Sequence, residues 1–275
     1  MTDVKTKKIK PESIYIHGTH SEEQARLSLL NHLTNGSFID FIEIKPGDSV
    51  LEVGSGLGIL ADSVAIRFPE SSLTGIEIAP EMIKKARMDF SNTPNLKFIE
   101  GDALSLSFDD ASFDVVYCRY ILEHATDPAK ALREIFRVLK NGGRFFVQEN
   151  NIFIYALYPD CPTFFFVLGK LAEIQSRMGG DAEIGKKLYS LIKQAGFRSI
   201  NLSIVPEVHH YDMPTFDPWI VNSREIVKGA RERLAALDGI SISIIEKAID
   251  EIDNLRKNPY ASAYFYWNRA SAVKP

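Results

Sequence analysis

From residue 49 onward, short apolar segments alternate with segments whose apolar residues recur at helical spacing. The apolar segments fit buried strands and lie at 49–53, 73–78, 96–100, 113–118, 144–149 and 199–205. The helical patterns between them lie around 57–68, 80–90, 127–140 and 182–197. In the third of these, Leu132, Ile135 and Leu139 fall on one helical face. This alternation predicts an α/β fold with a parallel sheet and helices on both faces.

Other parts of the chain depart from this pattern. Residues 1–48 are polar and helical, and residues 150–180 are rich in aromatic side chains. Residues 206–258 fit a loop followed by two amphipathic helices, and residues 259–275 alternate like a strand. We therefore predict an N-terminal helical lid (1–48), a core (49–205), a helical cap insertion (206–258) and a final strand (259–275) that returns to the core.

The composition narrows the classes of protein and partner. Of the 275 residues, 45% are hydrophobic and 25% are charged, and the net charge of −4 gives no electrostatic reason to expect a nucleic-acid partner. Pro159, Asp160 and Pro162 interrupt the longest apolar run, so no membrane span is expected. The basic N-terminus lacks the apolar segment of a signal peptide. Cys118 and Cys161 form no C-x-x-C pair, which favours a reducing cytoplasm.

The first predicted strand ends in a turn with glycines at alternate positions. Glu52 precedes Gly54, Gly56 and Gly58 in the sequence VLEVGSGLGILA. Glycine permits positive φ and close approach of a ligand, and the following helix offers free N–H groups at its start. A tight turn with no ligand is the alternative. A dinucleotide fingerprint would need its third glycine where Ile59 stands, and the Gly-Lys-Ser/Thr of a P-loop is absent.

This turn resembles motif I of the class I S-adenosylmethionine-dependent methyltransferases, E/D-x-G-x-G-x-G. Later segments resemble the same family in the same order: GIEIAPEMIKKA (75–86), EGDALSLSF (100–108), the segment 113–149 with its LEH…D turn and LK-GG hairpin, and GDAEIGKKLYSLIKQAGF (180–197). The resemblance is to small-molecule members of the ubiquinone and menaquinone methyltransferase type. It implies a Rossmann-like, doubly wound sheet of seven strands, the last antiparallel, with a helical cap. It also implies S-adenosylmethionine as cofactor and S-adenosylhomocysteine as product.

The resemblance places the cofactor at the carboxyl ends of the first four strands. Glu52 orders the glycine turn or approaches the methionine amino group, and Glu77 accepts hydrogen bonds from the ribose hydroxyls. Asp102 accepts from the adenine amino group. The other expected cofactor contacts are Gly54, Ser55, Gly56, Gly58, Ile78, Met82, Gly101, Ala103, Arg119 and Tyr120.

The lid resembles that of the small-molecule members. Tyr15 is expected to cover the cofactor, and Arg26 is expected to meet its carboxylate. Alternatively, Arg26 pairs with Glu22 or Glu23 on its own helix.

Methyl transfer is an in-line displacement at carbon, so the protein must mainly position the nucleophile and exclude water. A general base is needed only for a protonated acceptor such as a phenol or alcohol. His124 and Glu149 follow the fourth and fifth strands and are the candidate catalytic bases, although His124 is equally a turn residue that fixes the next helix. Tyr155 and Tyr158 are expected in the acceptor pocket. His209 is a further candidate there, and surface exposure is its alternative.

The aromatic residues beyond the fifth strand favour a small apolar or aromatic acceptor, bound by a monomer or homodimer. No metal is expected, because the fourth strand ends in Cys118 and Arg119 and the fifth only half matches the pattern of metal-dependent members. The alternative function is a methyltransferase fold that binds S-adenosylmethionine without methyl transfer: a pericyclase-like, regulatory or partner-binding protein.

Overall fold

A computed structural model describes residues 21–237 and 239–275. Within them, the helices are α1 (Ser21–Ile39), α2 (Ile59–Arg67), α3 (Pro80–Asp89), α4 (Pro128–Val138), α5 (Pro162–Arg177), α6 (Leu188–Gln194), α7 (Phe216–Gly229), α8 (Arg231–Ala235) and α9 (Ile242–Leu255). The strands are β1 (Ser49–Val53), β2 (Ser72–Glu77), β3 (Leu96–Glu100), β4 (Phe113–Arg119), β5 (Leu139–Glu149), β6 (Ala156–Tyr158), β7 (Arg198–His210) and β8 (Ser262–Val273).

These strands form one sheet. β3, β2, β1, β4 and β5 lie side by side in that order and are parallel, and β8 follows antiparallel to β5. β7 pairs with the whole length of β8, whereas β5 and β6 pair with its two ends. The α/β prediction with an antiparallel last strand is confirmed. The sheet also contains β6, whose three residues are too few to show a strand pattern.

The local sequence explains where the helices near the carboxyl edge begin. Asp127 caps α4 by accepting a hydrogen bond from the Lys130 backbone N–H, and Pro128 occupies its first turn. Pro80 likewise occupies the first turn of α3. The loops that precede these helices include the predicted cofactor residues Ile78 and Tyr120, so the helix starts fix the direction in which those loops leave the sheet.

Buried side chains form two clusters on the sheet. One face packs against α1, α2 and α3 through residues that include Phe38, Leu60 and Ile83. The opposite face packs against α4 and α6 through residues that include Leu132 and Ile192. Helices on both faces protect the apolar strands from water, as the alternating sequence pattern predicts.

A third cluster builds the cap. It joins α5, α7, α8 and α9 to one end of β8. Strand β8 contributes Phe265 and Trp267 to this cluster, and its other end contributes Ala270 and Ala272 to the cluster under α4 and α6. The sequence pattern did not predict α5. This helix packs in the cap, although its residues fall within the segment that we assigned to the core. The four-segment division stays a prediction.

Candidate cofactor and acceptor site

A cavity of about 720 Å³ lies at the carboxyl edge of the sheet, beneath the cap. This volume is in the range of small-molecule sites. Its glycine-turn half is lined by the ends of β1 and β2 and the loop after β3: Glu52, Gly54, Ser55, Gly56, Glu77, Ile78, Met82, Gly101, Asp102 and Ala103. Its cap half is lined mainly by aromatic and aliphatic side chains: Leu30, Tyr155, Phe164, Leu168, Leu171, Trp219, Ile226, Phe265 and Trp267.

The glycine turn is held by the acid at the end of β2. The two carboxylate oxygens of Glu77 accept hydrogen bonds from the backbone N–H groups of Gly56 and Ala79, each at 2.9 Å. Burial raises the pKa of Glu77, and these bonds oppose the rise. Gly54 has φ +77°, and a Cβ there would lie 2.0 Å from Ile121 Cδ1. A Cβ at Gly56 would meet nothing within 4 Å, so the turn leaves open space on its cavity side.

Gly58 has a different position from the other two glycines. It precedes α2 with φ +79°, and a Cβ there would lie 2.6 Å from Phe98 Cζ and 3.0 Å from Ala86 Cβ. It does not line the cavity. The prediction that Gly58 contacts the cofactor is therefore not supported: the glycine is needed for close packing between α2 and its neighbours.

Two buried ionisable residues, Glu52 and Arg119, lie below the turn. Glu52 accepts a hydrogen bond from the Tyr117 hydroxyl at 3.2 Å. Burial raises the pKa of Glu52 to about 8, although the nearby Arg119 guanidinium opposes the rise. The side chain of Arg119 donates to Asn31 and Asn35 of α1, each at 2.6 Å. Arg119 thus joins α1 to the end of β4 through its side chain.

The remaining cofactor candidates have varied surroundings. Asp102 Oδ1 accepts from the Leu104 N–H at 2.8 Å. Met82 is buried and Ile78 is exposed. The Ser55 hydroxyl is buried without a hydrogen-bond partner among the described residues. Tyr120 has a positive φ of 60°, and its hydroxyl accepts from Gln148 Nε2 at 2.5 Å.

Arg26 lines the cavity from α1 and forms the intrahelical pair that we considered as the alternative. Its guanidinium donates to both carboxylate oxygens of Glu23, at 2.8 and 2.6 Å. A third bond, at 3.0 Å, reaches Asn222 Oδ1 on α7 and ties α1 to the cap. Tyr15 lies outside the described residues.

The two candidate bases have different positions. His124 lines the cavity, and burial lowers its pKa below the usual value, so the imidazole is neutral at neutral pH. Glu149 is fully buried and does not line the cavity. Its carboxylate accepts from the backbone N–H groups of Ile121 (3.0 Å), Leu122 (2.9 Å) and Glu123 (3.3 Å). The structure therefore does not bring this candidate base to the cavity: Glu149 holds the turn after β4, and burial raises its pKa.

Of the three predicted pocket residues, the structure brings one to the cavity. The Tyr155 hydroxyl lies 2.8 Å from Ser223 Oγ, and its ring packs edge-on against Trp219 and three phenylalanines. Tyr158 is 61% exposed on β6 and does not line the cavity. His209 is buried, but it stacks on Trp219 from outside the lining and bonds to Thr215 Oγ1 at 2.9 Å.

Several lining residues of the cap half were not predicted from the sequence. Phe265 and Trp267 come from β8, and Trp219 comes from α7. The alternation in the final strand places Phe265 and Trp267 on one face, and that signal was available in the sequence. Nothing local to Trp219 shows that α7 lies over the sheet edge.

Neither a metal-binding group of side chains nor a membrane-spanning helix is found among the described residues. Among residues 21–237 and 239–275, no three or more His, Cys, Asp or Glu side chains are grouped to hold a metal ion. In the same part of the chain, every helix is too short or too polar to span a membrane.

Comparison with known proteins identifies the family. A family model described as a methyltransferase domain matches residues 51–147. The chain is 30% identical over 188 residues to the uncharacterized methyltransferase YcgJ of Bacillus subtilis, a match that covers 67% of this chain and 69% of YcgJ. This chain belongs to the class I S-adenosylmethionine-dependent methyltransferases. Its fold matches the YcgJ crystal structure with a TM-score of 0.59 and 21% identity, over 89% of this methyltransferase and 99% of YcgJ.

Other similarities are more partial or concern the fold alone. The methyltransferase is 39% identical over 100 residues to a demethylmenaquinone methyltransferase of Chlorobaculum tepidum, which covers 36% of this chain and 40% of that relative. A match at 32% identity to an uncharacterized 37.1 kDa protein of Streptomyces fradiae covers 58% of this chain and 46% of that protein. The methyltransferase thus spans less than half the length of that relative. The [4+2]-cyclase SpnF shares the fold, with a TM-score of 0.52 and 22% identity over 89% of this chain and 81% of that one.

The glycine-turn half fits the family's cofactor, S-adenosylmethionine. The space beside Gly56 is clear of side chains, and the buried Ser55 hydroxyl has no hydrogen-bond partner among the described residues. Carboxylates of Glu52, Glu77 and Asp102 line the same half. They suit a ligand that has an amino group, a ribose diol and an adenine amino group to donate.

Proposed function

We propose that this methyltransferase transfers the methyl group of S-adenosylmethionine to a small, apolar or aromatic acceptor. The observation that carries the proposal is the continuity of the cavity. One cavity is lined both by the glycine turn and by the aromatic wall of Tyr155, Trp219, Phe265 and Trp267. A donor in the glycine-turn half and an acceptor in the cap half would share this cavity.

Glu77 would hold the ribose and Asp102 the adenine, while Glu52 would face the methionine amino group. Ile78 and Met82 would flank the adenine. The bound cofactor supplies an electrophilic methyl group on a sulfonium. The chain's own contribution is positional: the glycine turn fixes one partner, the aromatic wall fixes the other, and the cap limits water.

Several polar groups that line the cap half are engaged with each other. Tyr155 is bonded to Ser223, and Arg26 to Glu23 and Asn222. A strongly charged acceptor would have to break these pairs, whereas an apolar ring would pack against them. This arrangement supports the small apolar or aromatic class of acceptor.

A second candidate is cofactor binding without methyl transfer. The fold that this chain shares with the cyclase SpnF motivates it. The engagement of Glu149 with backbone amides, which leaves fewer bases in the cavity than the sequence suggested, is compatible with it. The cytoplasmic location and the monomeric or homodimeric state stay predictions.

The test uses S-adenosylmethionine labelled in its methyl group and a metabolite extract filtered free of macromolecules. We expect label in a product that partitions into organic solvent, and about ten- to a hundredfold less with the Glu77→Ala variant at subsaturating cofactor. Calorimetric binding of S-adenosylmethionine without any label transfer would favour the second candidate. Label only in added protein or nucleic acid would contradict a small acceptor.

A further inference from the structure

The end of the sheet that carries the cap has one covered face and one open face. On β8, Phe265 and Trp267 belong to the cap cluster. Successive residues of a strand lie on opposite faces, so Tyr264 lies on the face away from the cap. Further along that second face, Ala270 and Ala272 lie in the cluster under α4 and α6. Around Tyr264 the face is exposed to solvent.

The pairing of the outer strands extends this exposed face. Val208 of β7 lies opposite Tyr264, and Ile204 and Leu202 follow on the same side of β7 at alternate positions. Tyr158 lies on the same side through the register of β6 with β8. The exposed fractions of these five side chains lie between 48% and 61%. We call them the open face.

The open face and its surroundings carry no formal charge. On this side of the sheet, the segments 202–210 of β7 and 262–268 of β8 and the whole of β6 contain no Asp, Glu, Lys or Arg. A quarter of the chain's residues are charged, so about a dozen solvent-facing positions should carry about three charges. An uncharged, apolar and aromatic face of this kind is typical of a surface that another molecule covers.

We propose that the open face is a homodimer interface, on which the same face of a second copy packs about a two-fold axis. In such an interface, each surface meets itself, so any charge in it would meet a like charge. The net charge of −4 makes two copies repel each other, and this repulsion is weakest across a face without charges. The lack of charge therefore favours a second copy over a partner that is recognised through ion pairs.

The apolar area also fits a dimer. A fully covered aromatic side chain buries about 150–250 Å², so five side chains that are about half exposed leave roughly 400 Å² of apolar surface per copy. Two copies bring roughly 800 Å², and a specific interface needs about 1,000 Å² in total. Ser262, Asn268 and His210, at the rim of the same face, can supply the difference. The cavity lies on the other side of β8, so the dimer contact and the cavity do not compete for the same surface.

Sedimentation equilibrium of the full chain over a range of concentrations tests the interface. We expect a reversible monomer–dimer equilibrium. Ile204→Glu places two carboxylates in the contact and should raise the dissociation constant of the dimer about a hundredfold or more. The matched control is Ile66→Glu on α2, where the isoleucine is 68% exposed. It makes the same change in charge and should alter the dissociation constant by less than about twofold.

Two sedimentation results would overturn the proposal. One is a wild-type chain that stays monomeric at every concentration. The other is a dimer that the two glutamate variants weaken to the same extent.

Hydroxyl-radical footprinting locates the contact in the unaltered chain and serves if Ile204→Glu does not fold. Tyr158 and Tyr264 should react more slowly in the concentrated dimer than in the diluted monomer. Met88 of α3, which is 70% exposed, should react equally in both. Tyrosines that react equally in dimer and monomer would place the contact elsewhere. Tyrosines that are protected at every concentration would show that something other than a second copy covers the face, and either result would overturn the proposal.

Discussion

The two halves of the cavity are built in different ways. The glycine-turn half comes from three short stretches at the ends of adjacent strands, and its contacts are largely backbone amides with carboxylates, as in the bonds of Gly56 and Ala79 to Glu77. The cap half comes from side chains of α1, α5, α7 and β8 that are distant in sequence. The first half depends on local chain geometry and the second on tertiary packing. A cofactor site can therefore stay constant while the acceptor site changes with the cap.

The two halves meet at the turn after β4. Ile121 fills the space that the missing side chain of Gly54 leaves, and Glu149 holds the Ile121 amide from the opposite side. The same turn continues into Glu123 and His124. Substitutions at this joint should affect both halves, and substitutions within one half should leave the other intact.

The largest expected effect of a substitution is at the joint itself. Glu149→Ala would leave three backbone N–H groups without their acceptor in a fully buried place, and each unsatisfied group costs about 1–3 kcal/mol. We expect the free energy of unfolding to fall by about 4 kcal/mol in urea titrations. Glu149→Gln, which keeps one acceptor oxygen, should lose about half as much. A stable Glu149→Ala protein that lost only turnover would restore Glu149 as a base.

The second effect concerns the charge under the glycine turn. Burial raises the folded-state pKa of Glu52 from 4.5 to about 8, so the folded protein holds a proton that the unfolded chain has released in that range. Stability should therefore fall as pH rises from about 4.5 to 8 and level off above that, by up to about 5 kcal/mol. Glu52→Gln should remove this part of the slope in unfolding titrations, leaving the part due to Glu149. An unchanged slope would show that Glu52 ionises normally.

The third effect separates the halves by affinity. Glu77→Ala removes the carboxylate that holds the glycine turn and that we propose binds the ribose, and we expect cofactor affinity to fall about ten- to a hundredfold in calorimetry. Glu100, at the matching register on β3, is exposed and outside the cavity lining, so Glu100→Ala is the control. Equal affinities for the two variants would place the ribose elsewhere.

The smallest effect lies within the cap half. Tyr155→Phe removes the hydroxyl that is bonded to Ser223 and should lower the free energy of unfolding by about 1 kcal/mol. Cofactor affinity should stay within about twofold, because no cofactor contact changes. Tyr158→Phe, on the exposed side of β6, should change neither quantity. A large loss of cofactor affinity in Tyr155→Phe would show that the halves are not independent.

The sequence predicted the glycine-turn half well for a physical reason. Strand ends, glycines at positive φ and acids two residues from a turn are local features with a fixed spacing, and Glu52, Gly54, Gly56, Glu77 and Asp102 all reach the cavity. Gly58 has the same spacing but packs against Phe98 instead of lining the cavity. The prediction failed there because glycine spacing alone does not show which side of a turn faces a neighbouring strand.

The sequence predicted the cap half poorly. Glu149 was predicted as a base and His209 as a pocket residue because of their side-chain chemistry. Glu149 instead accepts hydrogen bonds from backbone amides, and His209 stacks on Trp219 outside the cavity lining. Tyr155 lines the cavity, as predicted, whereas Tyr158, predicted on the same grounds, is exposed to solvent. Which member of such a set enters the cavity depends on how α5 and α7 lie on the sheet, and that arrangement is set by long-range packing.

Strand β8 belongs to two hydrophobic cores at once. Phe265 and Trp267 are part of the cap cluster, and Ala270 and Ala272, a few residues further along the same strand, are part of the sheet cluster. Local opening of the cap around β8 would disturb backbone pairing with β5 and β7 as well. The acceptor pocket and the sheet should therefore unfold as one cooperative unit, with amide protons along β8 exchanging at a common, global rate.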